Sequence, residues 1–371
     1  LRWSVSNFRQ LMPTVNVPRG AGAPSMLPQA LRTDIDTLRF VPLGATAPIT
    51  WAQGLAATYT DGIIVLHRGK VVHERYFGVL KPEGAHAAMS MTKSVVGTLG
   101  AMLVAEGRLD ERQRIAHYVP ELERSAFGSA TLRQVLDMTT GLAYSEDYAD
   151  PNAEVWAHAK AGNPLPKPAD YTGPRSYYAF LQTVQLQGRH GAAFSYKTVN
   201  TDTLGWVIAR VTGHSVAEEL AQRIWSRLGA EHDAYFSVDS LGTPFAGGGL
   251  NTSLRDLARF GEMLRNDGRY NGQQIVPKAV VDDIRHGGDR NAFAKADYPL
   301  LKGWSYRSMW WVTDQPGGAF MARGVHGQRL YIDPAAHVVI VRFASHPVAG
   351  NAANDPVTLP AFEALAQHLA R

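Results

Sequence analysis

Ser90 and Lys93 stand three residues apart in Met89-Ser90-Met91-Thr92-Lys93-Ser94. On a helix that spacing puts both side chains on one face. Residues 94–106 (SVVGTLGAMLVAE) are small and apolar, which predicts a buried helix that stops at Gly107. A serine at the entrance of such a helix lies where backbone N–H groups are unpaired and the helix dipole is positive. A lysine one turn further on can reach its hydroxyl. Burial lowers the pKa of an amine, and a neutral amine can serve as base to a serine nucleophile. The chemistry indicated is acyl transfer. Taken alone, the same four residues also fit an N-cap serine beside a solvated lysine, so the surrounding elements have to decide.

With 371 residues the chain can build a large core as one elaborated domain or two. At 45% hydrophobic and 19% charged residues it falls among ordinary globular proteins and outside the disordered or fibrous classes. It has no cysteine, which removes disulfides, a thiol nucleophile and thiolate metal sites. Lack of cysteine suits the bacterial periplasm and the cytoplasm alike, and a first residue of Leu1 rather than Met leaves a removed leader open, so the localisation is not legible. The net charge of +4 is small for this length and comes with no Lys/Arg run, so no nucleic-acid partner is expected. No apolar run reaches membrane-spanning length, and no membrane partner is expected. Oligomeric state is not legible.

The elements that must position Ser90 can be read in outline. Residues 1–60 are rich in Pro and Gly, with one amphipathic stretch near Leu27–Phe40, and read as an N-terminal arm packed on the body. Gly62–His67 and Val71–Tyr76 flank Arg68-Gly69-Lys70 as a hairpin with a glycine turn. Residues 108–249 read as a mostly helical lobe. It contains a helix from Thr131 closed by Gly141, a loop-like insertion over 144–176, and helices over Leu204–Val211 and Val216–Leu228. Beyond Gly247-Gly248-Gly249 come an amphipathic helix Leu254–Asn266, strands Ser308–Thr313, Gly327–Ile332 and Val338–Phe343, and a final helix Leu359–Ala370. A hairpin and helix first, and a meander and helix last, predict one antiparallel sheet lobe from residues 61–107 and 250–371. Gly213-His214-Ser215-Val216-Ala217 imitates a nucleophile elbow, but a helix precedes it where a strand is required. Gly213 suits a helix C′ position and Ser215 with Glu218 a capping box.

Several stretches now line up in order: Ser90 and Lys93; Tyr118-Val119-Pro120-Glu121-Leu122; Thr131–Leu136 with Thr139-Thr140-Gly141-Leu142; Phe194-Ser195-Tyr196 with Leu204-Gly205; Asp256–Gly261; and Leu330-Tyr331-Ile332-Asp333-Pro334. Over roughly residues 55 to 345 this resembles the class C β-lactamase-like serine hydrolases. That group includes family VIII carboxylesterases, D-Ala-D-Ala peptidases and 6-aminohexanoate-dimer hydrolases. The last are the most similar, through Met89–Ser94, Ser145–Pro151 and Val325-His326-Gly327-Gln328.

The resemblance implies an α/β (α+β) β-lactamase/transpeptidase-like fold, an antiparallel sheet flanked by helices plus a mostly helical lobe. It implies a serine hydrolase that cleaves small linear amides or esters through a Ser90 acyl-enzyme, with no metal and no cofactor. A β-lactamase or D-Ala-D-Ala peptidase, or a non-catalytic penicillin-recognising scaffold, are the alternatives on the same fold. Ser90 would be the nucleophile, Lys93 its activator and Tyr196 the partner in acid–base work, its phenol pKa lowered by the neighbouring ammonium. The oxyanion would lie between the N–H groups of Ser90 and Val325, with the family's third triplet falling on Ala322-Arg323-Gly324 rather than on His326-Gly327. Tyr148, Trp311, Thr198 and His326 would contribute to substrate binding, His326 chiefly by pinning its strand, while Glu146 and Asp147 read as solvated turn residues. Strand alternation points Lys197 away from the cleft. Relatives in the dimer-hydrolase group carry an Asp at the position of Ala159, where it can pair with the substrate ammonium. Ester turnover is therefore expected to exceed dimer hydrolysis, and departures at Thr198 and Arg323 predict a poor β-lactamase.

Overall fold

A computed structural model describes residues 1–371. Its centre is a seven-stranded sheet of β1 (Thr60–His67), β2 (Lys70–Tyr76), β3 (Ser305–Arg307), β4 (Trp310–Val312), β5 (Phe320–Gly324), β6 (Gln328–Asp333) and β7 (Val338–Ala344). The spatial order is β3-β4-β5-β6-β7-β1-β2, antiparallel throughout. Within this sheet the last strand in chain order therefore lies beside the first. The hairpin between β1 and β2 turns at Arg68 and Gly69, both with positive φ, 52° and 77°, the pair that a two-residue turn of matching twist requires.

Helices cover both faces. On one side lie α1 (Met91–Ala105) and α3 (Leu254–Arg265); α2 (Val199–Thr212) backs α1 from the helical region. On the other lies α4 (Asp355–Ala370), where Phe362 meets Tyr331 of β6 at 5.9 Å. Helix α1 is buried nearly all round, as an apolar helix without a polar face must be. Its glycines set its distance from both neighbours. A Cβ on Gly97 would lie 2.2 Å from the Ser308 carbonyl oxygen, and one on Gly100 3.0 Å from Leu204 of α2. Thr98 accepts from Trp310 Nε1 at 3.1 Å, and Ser94 donates to the Met309 carbonyl at 2.7 Å, so α1 is bolted to the β3–β4 corner through its own side chains.

Several elements differ from the sequence reading. The helix after Thr131 spans only Leu132–Leu136, with a capping box between Thr131 and Gln134; Asp137 caps its end and Met138 takes φ 51°, so Gly141 does not close it. The 144–176 segment contains a nine-residue helix, Glu154–Gly162. The Val216 helix breaks after Leu220 into a π-turn at Ala221–Trp225. Strand β5 was absent from the predicted meander. A second, four-stranded sheet of Thr14–Val17, Ala234–Ser237, Leu250–Ser253 and Ala85–Ala87 was also not foreseen, because strands of three or four residues give no usable period. The last helix starts four residues early and carries Pro360 inside it. The carbonyl of Pro356, which Pro360 cannot reach with an N–H, accepts from Leu43 N–H of the arm at 2.8 Å instead. No helix is long and apolar enough to cross a membrane.

The clearance at Gly97 gives the first test. Alanine is the better helix former, yet Gly97→Ala should destabilise the protein by about 1–3 kcal/mol, because its methyl meets the fixed Ser308 carbonyl oxygen as well as the Met309 side chain. Urea denaturation would read this; an unchanged or raised midpoint would show that α1 can stand off from the β3–β4 corner.

Candidate active site

Ser90 occupies the N-cap position of α1, but its hydroxyl makes no capping bond to the helix. Instead Lys93 Nζ, one turn on, donates to Ser90 Oγ at 2.8 Å and to the Gly247 carbonyl at 2.6 Å. The ammonium is 1% exposed and has no carboxylate against it. Burial pulls its pKa down to about 8, against the pull of Glu146 and then Asp202 in the other direction. The Gly247 loop that holds Lys93 is itself held, since Gly247 N–H donates to Asp202 Oδ1 at 3.0 Å from the first turn of α2.

Tyr196 lies on the other side of Ser90, its ring 5.1 Å from Lys93 Nζ and stacked on Trp311 at 5.4 Å. The sequence reading expected its phenol pKa to fall beside an ammonium. Here it is raised well above the ordinary value, by burial first and Glu146 second, against a hydrogen bond with Ser90. The phenol stays protonated while the amine titrates, so environment separates a proton acceptor from a proton donor.

Val325 follows β5. A Cβ on Gly324 would lie 2.9 Å from the Ala88 carbonyl oxygen and 3.1 Å from Met89 Cβ, so only a glycine lets this strand end close on the residues before Ser90. Ser90 and Val325 line the same two cavities, and neither N–H is spent on a hydrogen bond of the loops around it. His326-Gly327 lies in the turn beyond. His326 takes φ 62°, and its Nδ1 lies 2.8 Å from the His346 carbonyl oxygen, a contact of the strand-pinning kind; it lines neither cavity.

Tyr148 lines both cavities, and its hydroxyl donates to Glu146 Oε1 at 2.9 Å. The same carboxylate accepts from Thr198 Oγ1 and Thr198 N–H, each at 2.6 Å. Glu146 is thus a half-buried clamp between the insertion and the start of α2, not the solvated turn residue expected; Asp147 is exposed. Lys197 donates to the Leu142 carbonyl and lines neither cavity; it faces away as expected, although residues 194–197 form no strand whose alternation would place it. Trp311 faces the first cavity with Arg323 stacked over its ring at 4.7 Å. Arg323 is buried against Asp355 at 2.5 Å, and its directly opposed neighbour Arg329 meets the same carboxylate at 2.7 Å. Sequence reasoning missed Glu146, Asp202 and Asp355. The available signal was an acid beside otherwise apolar or small residues at a helix start, as at Val199–Leu204.

An antiparallel sheet with a buried Ser-x-x-Lys helix against it is the architecture of β-lactamase/transpeptidase-like proteins. The chain belongs to the beta-lactamase family of serine hydrolases, whose model matches residues 50–359. It is 36% identical over 348 residues to a 6-aminohexanoate-dimer hydrolase of Paenarthrobacter ureafaciens, covering 93% of this chain and 86% of the relative. A Bacillus anthracis structure, provisionally assigned as a 6-aminohexanoate-dimer hydrolase, superposes with a TM-score of 0.90 at 34% identity and covers 99% of this chain and 94% of its own. A family VIII carboxylesterase shares the fold at a TM-score of 0.62 and 16% identity, over 84% of this chain and 96% of its own.

The titration of Lys93 is directly testable. kcat/KM for an ester should rise with pH along a limb of apparent pKa about 8, as the free enzyme loses the Lys93 proton. Glu146→Gln removes the charge that most favours the ammonium, so the limb should move to lower pH. A pH–rate profile that is flat from about 6 to 9 would show that no such group controls the reaction.

Proposed function

We propose that this protein hydrolyses small linear amides and esters by a Ser90 acyl-enzyme. The observation that carries the reading is the short contact from Ser90 Oγ to a buried amine whose pKa is drawn down to about 8. Lys93 takes the hydroxyl proton as Oγ attacks the carbonyl carbon. The charge developing on the carbonyl oxygen is met by the Ser90 and Val325 N–H groups. The C–N or C–O bond breaks as Tyr196 delivers a proton to the departing atom and is reprotonated from Lys93. Water then attacks the acyl carbon as Lys93 takes its proton, and the bond to Ser90 Oγ breaks as that proton is returned to Oγ, which releases the acid and restores Ser90 and neutral Lys93. The likeness to 6-aminohexanoate-dimer hydrolases supports an amide among the substrates.

Three substitutions test the unit. Ser90→Ala should abolish turnover with the fold intact by circular dichroism. Lys93→Ala should lose on the order of a thousandfold or more in kcat, and Tyr196→Phe nearly as much, because the three act together. Full activity in Ser90→Ala would end the reading.

Tyr148 is proposed to hold the amide nitrogen as it leaves. A nitrogen must be protonated to depart, whereas a phenolate leaves unaided. Tyr148→Phe should therefore slow hydrolysis of 6-aminohexanoate dimer by at least about tenfold more than that of p-nitrophenyl butyrate. Equal losses on both substrates would reduce Tyr148 to a packing residue.

A further inference from the structure

Two cavities of about 360 Å³ each meet at Ser90, and they differ in chemistry. Tyr196 lines only the first, with Glu146, Asp297, Arg323 and Asp355. Lys93 lines only the second, whose wall is otherwise largely apolar: Phe8, Met12, Met89, Val155, Trp156 and Phe245. No carboxylate lines this second cavity; besides its tyrosines, the titratable groups there are Lys93 and His158. If Tyr196 protonates the leaving atom, the leaving group departs into the first cavity and the acyl chain remains in the second.

The second cavity is roofed by the N-terminal arm. Thr14–Val17 pairs with Ala234–Ser237, in a register that sets Thr14 opposite Ser237, itself a lining residue. Further back, Arg2 reaches the fully buried Asp61. Between these anchors the turn Phe8–Gln10 is drawn across, Arg9 lying over the Tyr235 ring at 4.0 Å, and this brings Phe8 and Met12 onto the cavity. A ligand ammonium placed there would meet a lysine, a histidine and apolar side chains, while the nearest acids, Asp202 behind His158 at 3.0 Å and Glu146 behind Tyr148, lie outside the lining and already have partners. A methylene chain would meet what it prefers.

Resting on the hydrolase reading above, we infer that the second cavity is an acyl pocket for unbranched, uncharged chains, and that Phe8 and Met12 of the N-terminal strap set its selectivity. Each methylene buried is worth about fourfold in binding. The gain enters kcat/KM wherever the chain is held in the transition state.

The test is a series of p-nitrophenyl esters, from acetate to hexanoate, together with p-nitrophenyl 6-aminohexanoate, on the whole protein. Hexanoate should exceed acetate in kcat/KM on the order of a hundredfold, and exceed the 6-aminohexanoate ester by a similar factor at neutral pH. In the double variant Phe8→Ala/Met12→Ala the hexanoate-to-acetate ratio should fall by about tenfold or more. Met12→Glu, at a half-buried position that tolerates a polar side chain, should instead raise the 6-aminohexanoate ester relative to hexanoate. A hexanoate-to-acetate ratio near one with Ser90-dependent turnover intact would overturn the acyl pocket alone. So would a 6-aminohexanoate ester equal to hexanoate in the unaltered protein. Ratios unmoved by either arm variant would overturn the role of the strap. Absence of any Ser90-dependent turnover would overturn the hydrolase reading, and this one with it.

Discussion

An amine buried beside a hydroxyl, with a carbonyl as its other partner and no carboxylate in contact, is costly to build. In water Lys93 would keep its proton; at the N-terminal end of a helix, inside the protein, both the dipole and the loss of solvent act against the charged form. The surrounding chain serves to keep that amine dry and still. The glycines of α1 let the helix sit close enough to its neighbours to exclude water. Asp202 fixes the loop that offers the Gly247 carbonyl, and Glu146 ties the insertion to α2 across the cleft. Both carboxylates are near enough to temper the amine's pKa and far enough not to capture it.

A second balance of charge lies at the sheet edge of the site. Arg323 on β5 and Arg329 on β6 stand directly opposite one another, an unfavourable pair in isolation. Asp355, in the first turn of α4, bridges them, and although burial alone would raise its carboxyl pKa, the two guanidiniums hold it below the ordinary range. The C-terminal helix is thus tied electrostatically to the strand that ends at Val325. The aromatic stack of Tyr196 on Trp311, with Arg323 over the opposite partner, extends the same contact to the residue facing Ser90.

Much of this arrangement can be read from the chain, and what cannot has physical reasons. The Ser90 helix, the β1–β2 hairpin and the capping box at Ser215 carry local signals: apolar continuity, a positive-φ turn and a Ser/Glu pair. Motif order brings Lys93, Tyr196 and Val325 to one place although no local pattern links them. The small sheet, the helix at Glu154–Gly162 and the clamp at Glu146 are invisible for the opposite reason. Their residues are short, polar or mixed, and only partners distant in the chain give them a conformation. At His326 a positive φ turns the side chain to the His346 carbonyl and away from the cavities that its neighbour Val325 lines.

The interleaving of the two chain ends in one sheet has a bearing on biosynthesis. Ser90 and Lys93 leave the ribosome early, but β5, which carries Val325 to them, and β7, which completes the sheet beside β1, are made near the end. Pairings between such remote segments close late and slowly. Through most of translation the apolar helix of residues 91–105 has no completed sheet to cover it, and a chain stopped before residue 320 lacks the strand end that brings Val325 to the nucleophile. The full site is therefore completed only in a finished molecule, and the exposed helix in an unfinished one is a natural target for a chaperone or a protease.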